Sequence, residues 1–314
     1  MRYTAYEMVE YYKKHTSAES LARLSGAQYQ DVWVHTNAVH DLADITEAFQ
    51  LDPNIIHDVR DQRELARVET NATGSYIFLR SIDKEHDGHA VTSPVLAIIK
   101  PHVFITIAPH GTFTPAKMQT PLSGTTSQRS EMLLATILEI IGQYEKKIHE
   151  IGEKVITIRN RLKTHEVNND DFVMFVSIED NLNQYRQNLD GMLAVMRRLS
   201  ENRAGVFSAA GVETVEDIIL HIGQLMVAIK SHTYTVGSIQ NAYSTIANNR
   251  LNHRMKALTF FTVLLALPNV FYGMYGMNVA LPFQNEPWAY FAVVGFTGFL
   301  IIVIYTVAKR LRLF

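Results

Sequence analysis

The spacing of hydrophobic positions divides the chain into regions of different character. From residue 31 to about 109 the pattern is mixed: Val32, Val34 and Thr36 alternate, and residues 43–50 and 53–60 read as short helices. Three runs rich in β-branched and aromatic residues, 76–82, 90–99 and 103–108, read as strands, with Asp87-Gly88 and Lys100-Pro101 as turn signals between them. This predicts an α/β domain built on hairpins. Residues 115–128 form a connector rich in Pro, Ser, Thr and Gly, after which Ser130 opens a helix with Glu131 in its first turn. Residues 132–163 and 171–203 carry apolar positions at helical spacing and are divided by a polar turn over 165–170, so an antiparallel helical pair is expected.

Beyond Val212 the apolar positions step by threes and fours through Val215, Ile219, Ile222, Met226, Ile229, Val236 and Tyr243, and no proline intervenes before Pro268. One helix over 213–278 would be about 100 Å long. Its last part, 257–279, carries no charge, and residues 288–308 repeat that character; Glu286 is the only charged residue between Ala257 and Ala308. Each run is long enough to cross a hydrocarbon layer of about 30 Å, and neither leaves a polar face for water. Arg250, His253, Arg254 and Lys256 precede the first span, and Lys309, Arg310 and Arg312 follow the second, which predicts that both flanks are cytoplasmic. The connector between the spans holds no Lys or Arg, and Trp288 and Tyr290 suit the outer interface. Pro268 predicts a kink facing protein, and Gly273 and Gly276 permit close helix approach.

Composition narrows the chemistry. The chain is 47% hydrophobic and 19% charged with a formal net charge of −2, and no basic tract is long enough to follow a phosphate backbone, which argues against a nucleic-acid partner. With no cysteine there are no disulfides and no thiolate sites, and the first residues lack the apolar core of a signal peptide. His86-Asp87-Gly88-His89 reads as a hairpin turn rather than a metal cluster. No HExxH motif or hydrolase triad stands out, so an enzyme is not expected.

The first span ends in Tyr275-Gly276-Met277-Asn278, preceded by Asn252 and by Met255-Lys256-Ala257-Leu258-Thr259, and followed by a short loop, a second span and a basic end. In this combination the chain resembles the CorA family of magnesium transporters, whose signature is a Gly-Met-Asn triplet at that place. The resemblance covers the whole chain in architecture and the last quarter in motif. Where many members continue with a Met-Pro-Glu loop, this chain has Val279-Ala280-Leu281-Pro282, so a loop role for Glu286 does not carry over.

The resemblance implies an α+β fold with a cytoplasmic α/β domain (1–128), an antiparallel helical pair (129–210) and a stalk helix (211–256). A pore-lining first span (257–279), an outer loop (280–287), a second span (288–308) and a basic tail (309–314) complete it. It implies a homopentamer in the cell membrane with both termini cytoplasmic. Mg2+ is then both the transported and the regulatory ion, with no further cofactor. Gly276, Met277 and Asn278 would form the selectivity filter, and Asn252, Leu258 and Gly273 would face the pore, with Thr262, Leu265 and residues 268–270 as further candidates for its wall. Matching residues 52–58 to the family points to Asp58, and counting back from the triplet points to Asp217, as regulatory metal ligands. Neutral acceptors such as Asn278 suit a hydrated ion that sheds water reluctantly. The alternative role for Asn278 is a plain helix cap. Transport of zinc, cobalt or nickel on the same fold, and a non-conducting membrane scaffold, remain as alternative functions.

Overall fold

The computed structural model describes residues 9–14, 21–25, 30–38, 42–83, 85–86, 88–110, 113–120, 125–163, 169–203, 205–278, 282–283 and 285–310. These fall into two compact units, residues 1–239 and 240–314.

The first unit is built on a seven-stranded sheet. Its strands are β1 (Val9–Lys13), β2 (Ala22–Leu24), β3 (Val32–Thr36), β4 (Arg67–Asn71), β5 (Gly74–Ile82), β6 (Thr92–Lys100) and β7 (Val103–Ile107). The spatial order is β2-β1-β3-β7-β6-β5-β4, with β3 and β7 parallel and every other neighbour antiparallel. The strands expected over 76–82, 90–99 and 103–108 are β5, β6 and β7. β1, β2 and β4 lie outside the strands expected. β2 and β4 are the sheet's two edges, the first only three residues long and the second burying only Val68, and the inner β1 buries only Tyr12, so little hydrophobic alternation marks any of them.

Both faces of the sheet are covered, which is why its central strands are buried throughout instead of alternating. Val34, Phe78, Leu96, Ile98 and Ile105 pack under α1 (Ala43–Ala48) and α2 (Pro53–Asp58) through Ile45, Ile55 and Ile56. The opposite-facing Trp33, Ile77, Leu79, Val95 and Phe104 share one core with three long helices, α3 (Arg129–Lys163), α4 (Asn169–Ser200) and the start of α5 (Ala209–Tyr275). Tyr144 of α3 and Tyr185 of α4 meet edge-on with ring centroids 5.5 Å apart at the centre of that core. In this unit α5 buries Val215, Ile218, Ile222, Leu225, Ile229, Val236 and Ile239, whereas Ile219 and Met226 are only partly covered. Leu220, Val227 and Tyr234, spaced seven residues apart, are left 65%, 70% and 78% exposed.

The second unit holds the rest of α5 and α6 (Ala289–Arg310). α5 starts four residues earlier than expected and ends three residues before Asn278, running through Pro268 as continuous helix. Both helices are long and apolar enough to cross a membrane, and their apolar windows are almost entirely uncovered, 0% and 11% buried. A water-soluble core helix of that composition would be covered by its neighbours.

Candidate functional site

In the C-terminal unit α5 and α6 pack along one side of each helix. Phe271 meets Phe296 edge-on at 5.4 Å, and Phe260, Phe261 and Leu264 enclose a space of about 300 Å³ with Ile301, Ile302 and Tyr305. Phe260, Leu264, Leu267, Pro268 and Phe271, which share one helical face, are half-buried. Pro268 therefore belongs to the side packed on α6 and not to the free face. The other side of α5 carries Met255, Leu258, Thr262, Ala266, Asn269 and Gly273, stepping by threes and fours, and all of them are exposed. Leu258 and Gly273, expected to face a pore, lie on this stripe; Asn252 lies at its flank one turn earlier and is also exposed.

The polar groups of this face differ in one respect. The hydroxyls of Thr259 and Thr262 donate to the carbonyls of Met255 and Leu258, each at 2.9 Å, and so satisfy themselves within the helix. The Asn269 carboxamide makes no hydrogen bond to any described residue. A Cβ placed on Gly273 would meet nothing within 4 Å, so no contact among the described residues requires the glycine there. Asn269 lies within 268–270, the stretch expected to contribute to a pore wall, and is the exposed polar residue of that stretch. A lone amide in an uncharged run was the available signal.

At the end of α5 the backbone caps itself. Gly276 N–H donates to the Tyr272 carbonyl at 3.0 Å and Met277 N–H to the Met274 carbonyl at 3.2 Å. Asn278 is not among the positive-φ residues described, and its exposed side chain bonds to no described residue. Met277 is likewise exposed. The Tyr275 hydroxyl reaches the Pro282 carbonyl at 3.2 Å, tying the loop to the helix end. Glu286 sits with Tyr272, Tyr275, Gly276 and Tyr290 around a space of about 420 Å³ on the α6 side.

In the first unit Asp58 ends α2 and Asp217 lies on α5. Asp217 is exposed and has no ion pair or hydrogen bond among the described residues. Asp58, 43% exposed at its side chain, is ion-paired: its Oδ2 lies 2.8 Å from Nη2 of Arg67. The same guanidinium contacts Glu64 and Glu69 and lies 4.1 Å above the Phe78 ring. Partial burial disfavours the charge of Arg67, but Glu69, Glu64 and Asp58 outweigh it and raise its pKa above the ordinary value. The segment between α2 and β4 is pinned from beneath by Arg80, which donates to the carbonyls of Gln62, Glu64 and Thr92. No bond joins Asp58 to Asp217, and among the described residues no three metal-ligating side chains converge. His86 and His89 exchange backbone hydrogen bonds around Gly88, as a hairpin turn does, and Asp87 lies outside the described residues.

Comparison with known proteins agrees with this architecture. A curated relative, the cobalt/magnesium transport protein CorA of Methanocaldococcus jannaschii, is 27% identical over 99 residues, and the aligned stretch spans 31% of each chain. The complete structure of the CorA magnesium transporter from the same organism superposes with a TM-score of 0.80 at 17% identity, covering 96% of this chain and 98% of that one. The full-length CmaX protein gives a TM-score of 0.71 at 13% identity, with 95% and 97% covered. The cytoplasmic domain of ZntB from Vibrio parahaemolyticus gives 0.59 at 12% identity, with 77% and 98% covered. At these identities the structures establish the fold. The family assignment rests on the model of the CorA-like Mg2+ transporter protein, which matches residues 30–310, and this chain belongs to that family of ion transporters.

Proposed function

We propose that the chain is one subunit of a homo-oligomeric channel that admits hydrated Mg2+ down the membrane potential and is closed by Mg2+ inside the cell. The observation that carries this reading is the face of α5 turned away from α6, where the unpartnered Asn269 carboxamide stands in the middle of an apolar span. An amide without a partner is costly in hydrocarbon, so this face belongs against water or protein. One α5 and one α6 cannot enclose a lumen; a ring of subunits can, each presenting this face to the axis. The exposed ladder of Leu220, Val227 and Tyr234 provides an apolar seam for such assembly, and a pentamer is what the family resemblance implies.

In the ring, the Asn278 and Asn269 carboxamides are successive neutral acceptors for the water shell of the ion, with Gly276 and Met277 completing the outer mouth. Leu258 forms an apolar constriction and Asn252 a polar ring at the inner end. Neutral oxygen acceptors hold a hydrated divalent ion without trapping it. Arg250, Arg254 and Lys256 before the first span and Lys309 and Arg310 at the end of the second support a cytoplasmic side for both flanks. Each divalent ion entering gains about 4.6 kcal/mol per 100 mV, which suffices for uptake without nucleotide. That gain calls for a brake. Asp217 stands one turn before Leu220 on the exposed side of α5, beside the assembly seam, where it can share an ion with Asp58 of a neighbouring copy.

The deciding experiment is Mg2+ uptake into proteoliposomes under an inside-negative potential. Influx in the wild type that is lost in Asn278→Ala supports the channel; equal influx in both removes Asn278 from the filter. The curated relative, named for cobalt as well as magnesium transport, favours a second reading in which another divalent ion is carried. The same vesicles loaded with a Zn2+, Co2+ or Ni2+ indicator separate the two.

A further inference from the structure

Asp58 is already occupied by a cation of the chain's own. Arg67, the first residue of β4, holds Asp58 at 2.8 Å while also contacting Glu64 and Glu69. We propose that Arg67 is a built-in competitor for the divalent ion at Asp58, and that its sharing among three carboxylates sets the ion concentration at which the site fills. The inference rests on the reading of Asp58 as a regulatory ligand.

The physical case runs through what each group loses on exchange. Arg67 engages Oδ2 of Asp58 and its charge repels a divalent ion brought to the same carboxylate, so loosening that pair is part of the cost of binding. A guanidinium stripped of every partner would be expensive at this partly covered position, but Arg67 keeps Glu64 and Glu69 when it releases Asp58. Its plane is also supported by the Phe78 ring, and Arg80 fixes the carbonyls of Gln62 and Glu64, so the cradle stays in place during the exchange. Glu64 and Glu69 therefore act as acceptors for the displaced cation. Asp58 and Arg67 are both partly solvated, so their pairing has the modest strength of a surface ion pair, and removing the competitor shifts binding by about two- to five-fold.

Two substitutions move the midpoint in opposite directions. Arg67→Gln frees Asp58 and lowers the Mg2+ concentration needed. Glu69→Gln takes away one of the acceptors, commits Arg67 more fully to Asp58, and raises it. A purely structural role for the cluster would not reverse sign in this way.

The test uses the full-length protein purified as its oligomer, with Mg2+-dependent protection from proteolysis as the readout and Asp58→Asn as the control. The expected result is a midpoint about two- to five-fold lower in Arg67→Gln and higher in Glu69→Gln, with no effect of Arg67→Gln when Asp58→Asn is present. If Asp58→Asn leaves the wild-type protection curve unchanged, the regulatory reading of Asp58 fails. If Asp58→Asn abolishes protection but the other two variants leave the midpoint in place, or move it the same way, Arg67 is no competitor. Should Arg67→Gln fail to fold, Glu69→Gln decides alone, and a midpoint that does not rise overturns the proposal.

Discussion

Single residues show how differently polar groups are treated in the two units. His35 on β3 is 1% exposed, with Nδ1 2.8 Å from the Thr106 hydroxyl, which also accepts from Trp33 Nε1 at 2.8 Å. Burial pushes its pKa down to about 4. Because the folded pKa lies below the unfolded one, the unfolded chain takes up the proton first. The contribution of neutral His35 is complete above about pH 6.5 and is lost as the pH falls toward 4, a change of about 3 kcal/mol. Unfolding of the purified protein at stepped pH should show this loss, and His35→Gln should flatten that part of the profile; an unchanged slope would remove His35 as its source. Asn269 presents the opposite case, an amide left bare on a lipid-length helix. Asn269→Leu should reduce potential-driven Mg2+ influx at least several-fold while Asn269→Thr retains most of it, and equal flux in the two would place Asn269 outside the water path. Asn278 is a candidate by its motif alone. Asn269 needed the α6 contacts, which alone show which side of α5 is free.

Among the elements, α5 does the most varied work. In the N-terminal unit one of its stripes is buried against the sheet-side core, and Leu220, Val227 and Tyr234 are left uncovered at a spacing of seven. If that ladder joins subunits, Val227→Asp should lower the oligomer mass seen by light scattering in detergent while secondary structure persists; an unchanged mass would move the seam elsewhere. The β4–β5 hairpin is constrained more locally. Gly74 has φ +151°, and a Cβ there would lie 2.8 Å from the Ile99 carbonyl oxygen of the next strand. Gly74→Ala should therefore destabilise the protein by about 1–3 kcal/mol in denaturant unfolding, through backbone strain and the displaced β6. The long helices and the strands β5, β6 and β7 were readable because their apolar runs are long or continuous. The edge strands β2 and β4 and the thinly covered β1 were not, since each buries little and carries little pattern of its own.

For the molecule as a whole, the proposal makes conduction and its brake separable, because it puts them on residues of different units. Replacing Asp58 and Asp217 together by alanine should leave Mg2+ influx intact and abolish its inhibition by internal Mg2+, measured as flux against the Mg2+ loaded inside the vesicles. Persisting inhibition would relocate the sensor. The sequence by itself determined the two apolar spans, the long helices, the strands β5, β6 and β7 and the triplet at the end of the first span. Those features depend on local periodicity and on the solvent each segment must match. Only the tertiary structure decided that α1 and α2 cover one face of the sheet and the long helices the other, and that Pro268 packs toward α6 while Asn269 is free. It alone shows Arg67 lying over Phe78 among three carboxylates. Each of these depends on residues far apart along the chain meeting in space, and a linear pattern of hydrophobic and polar positions does not encode which partner a side chain will find.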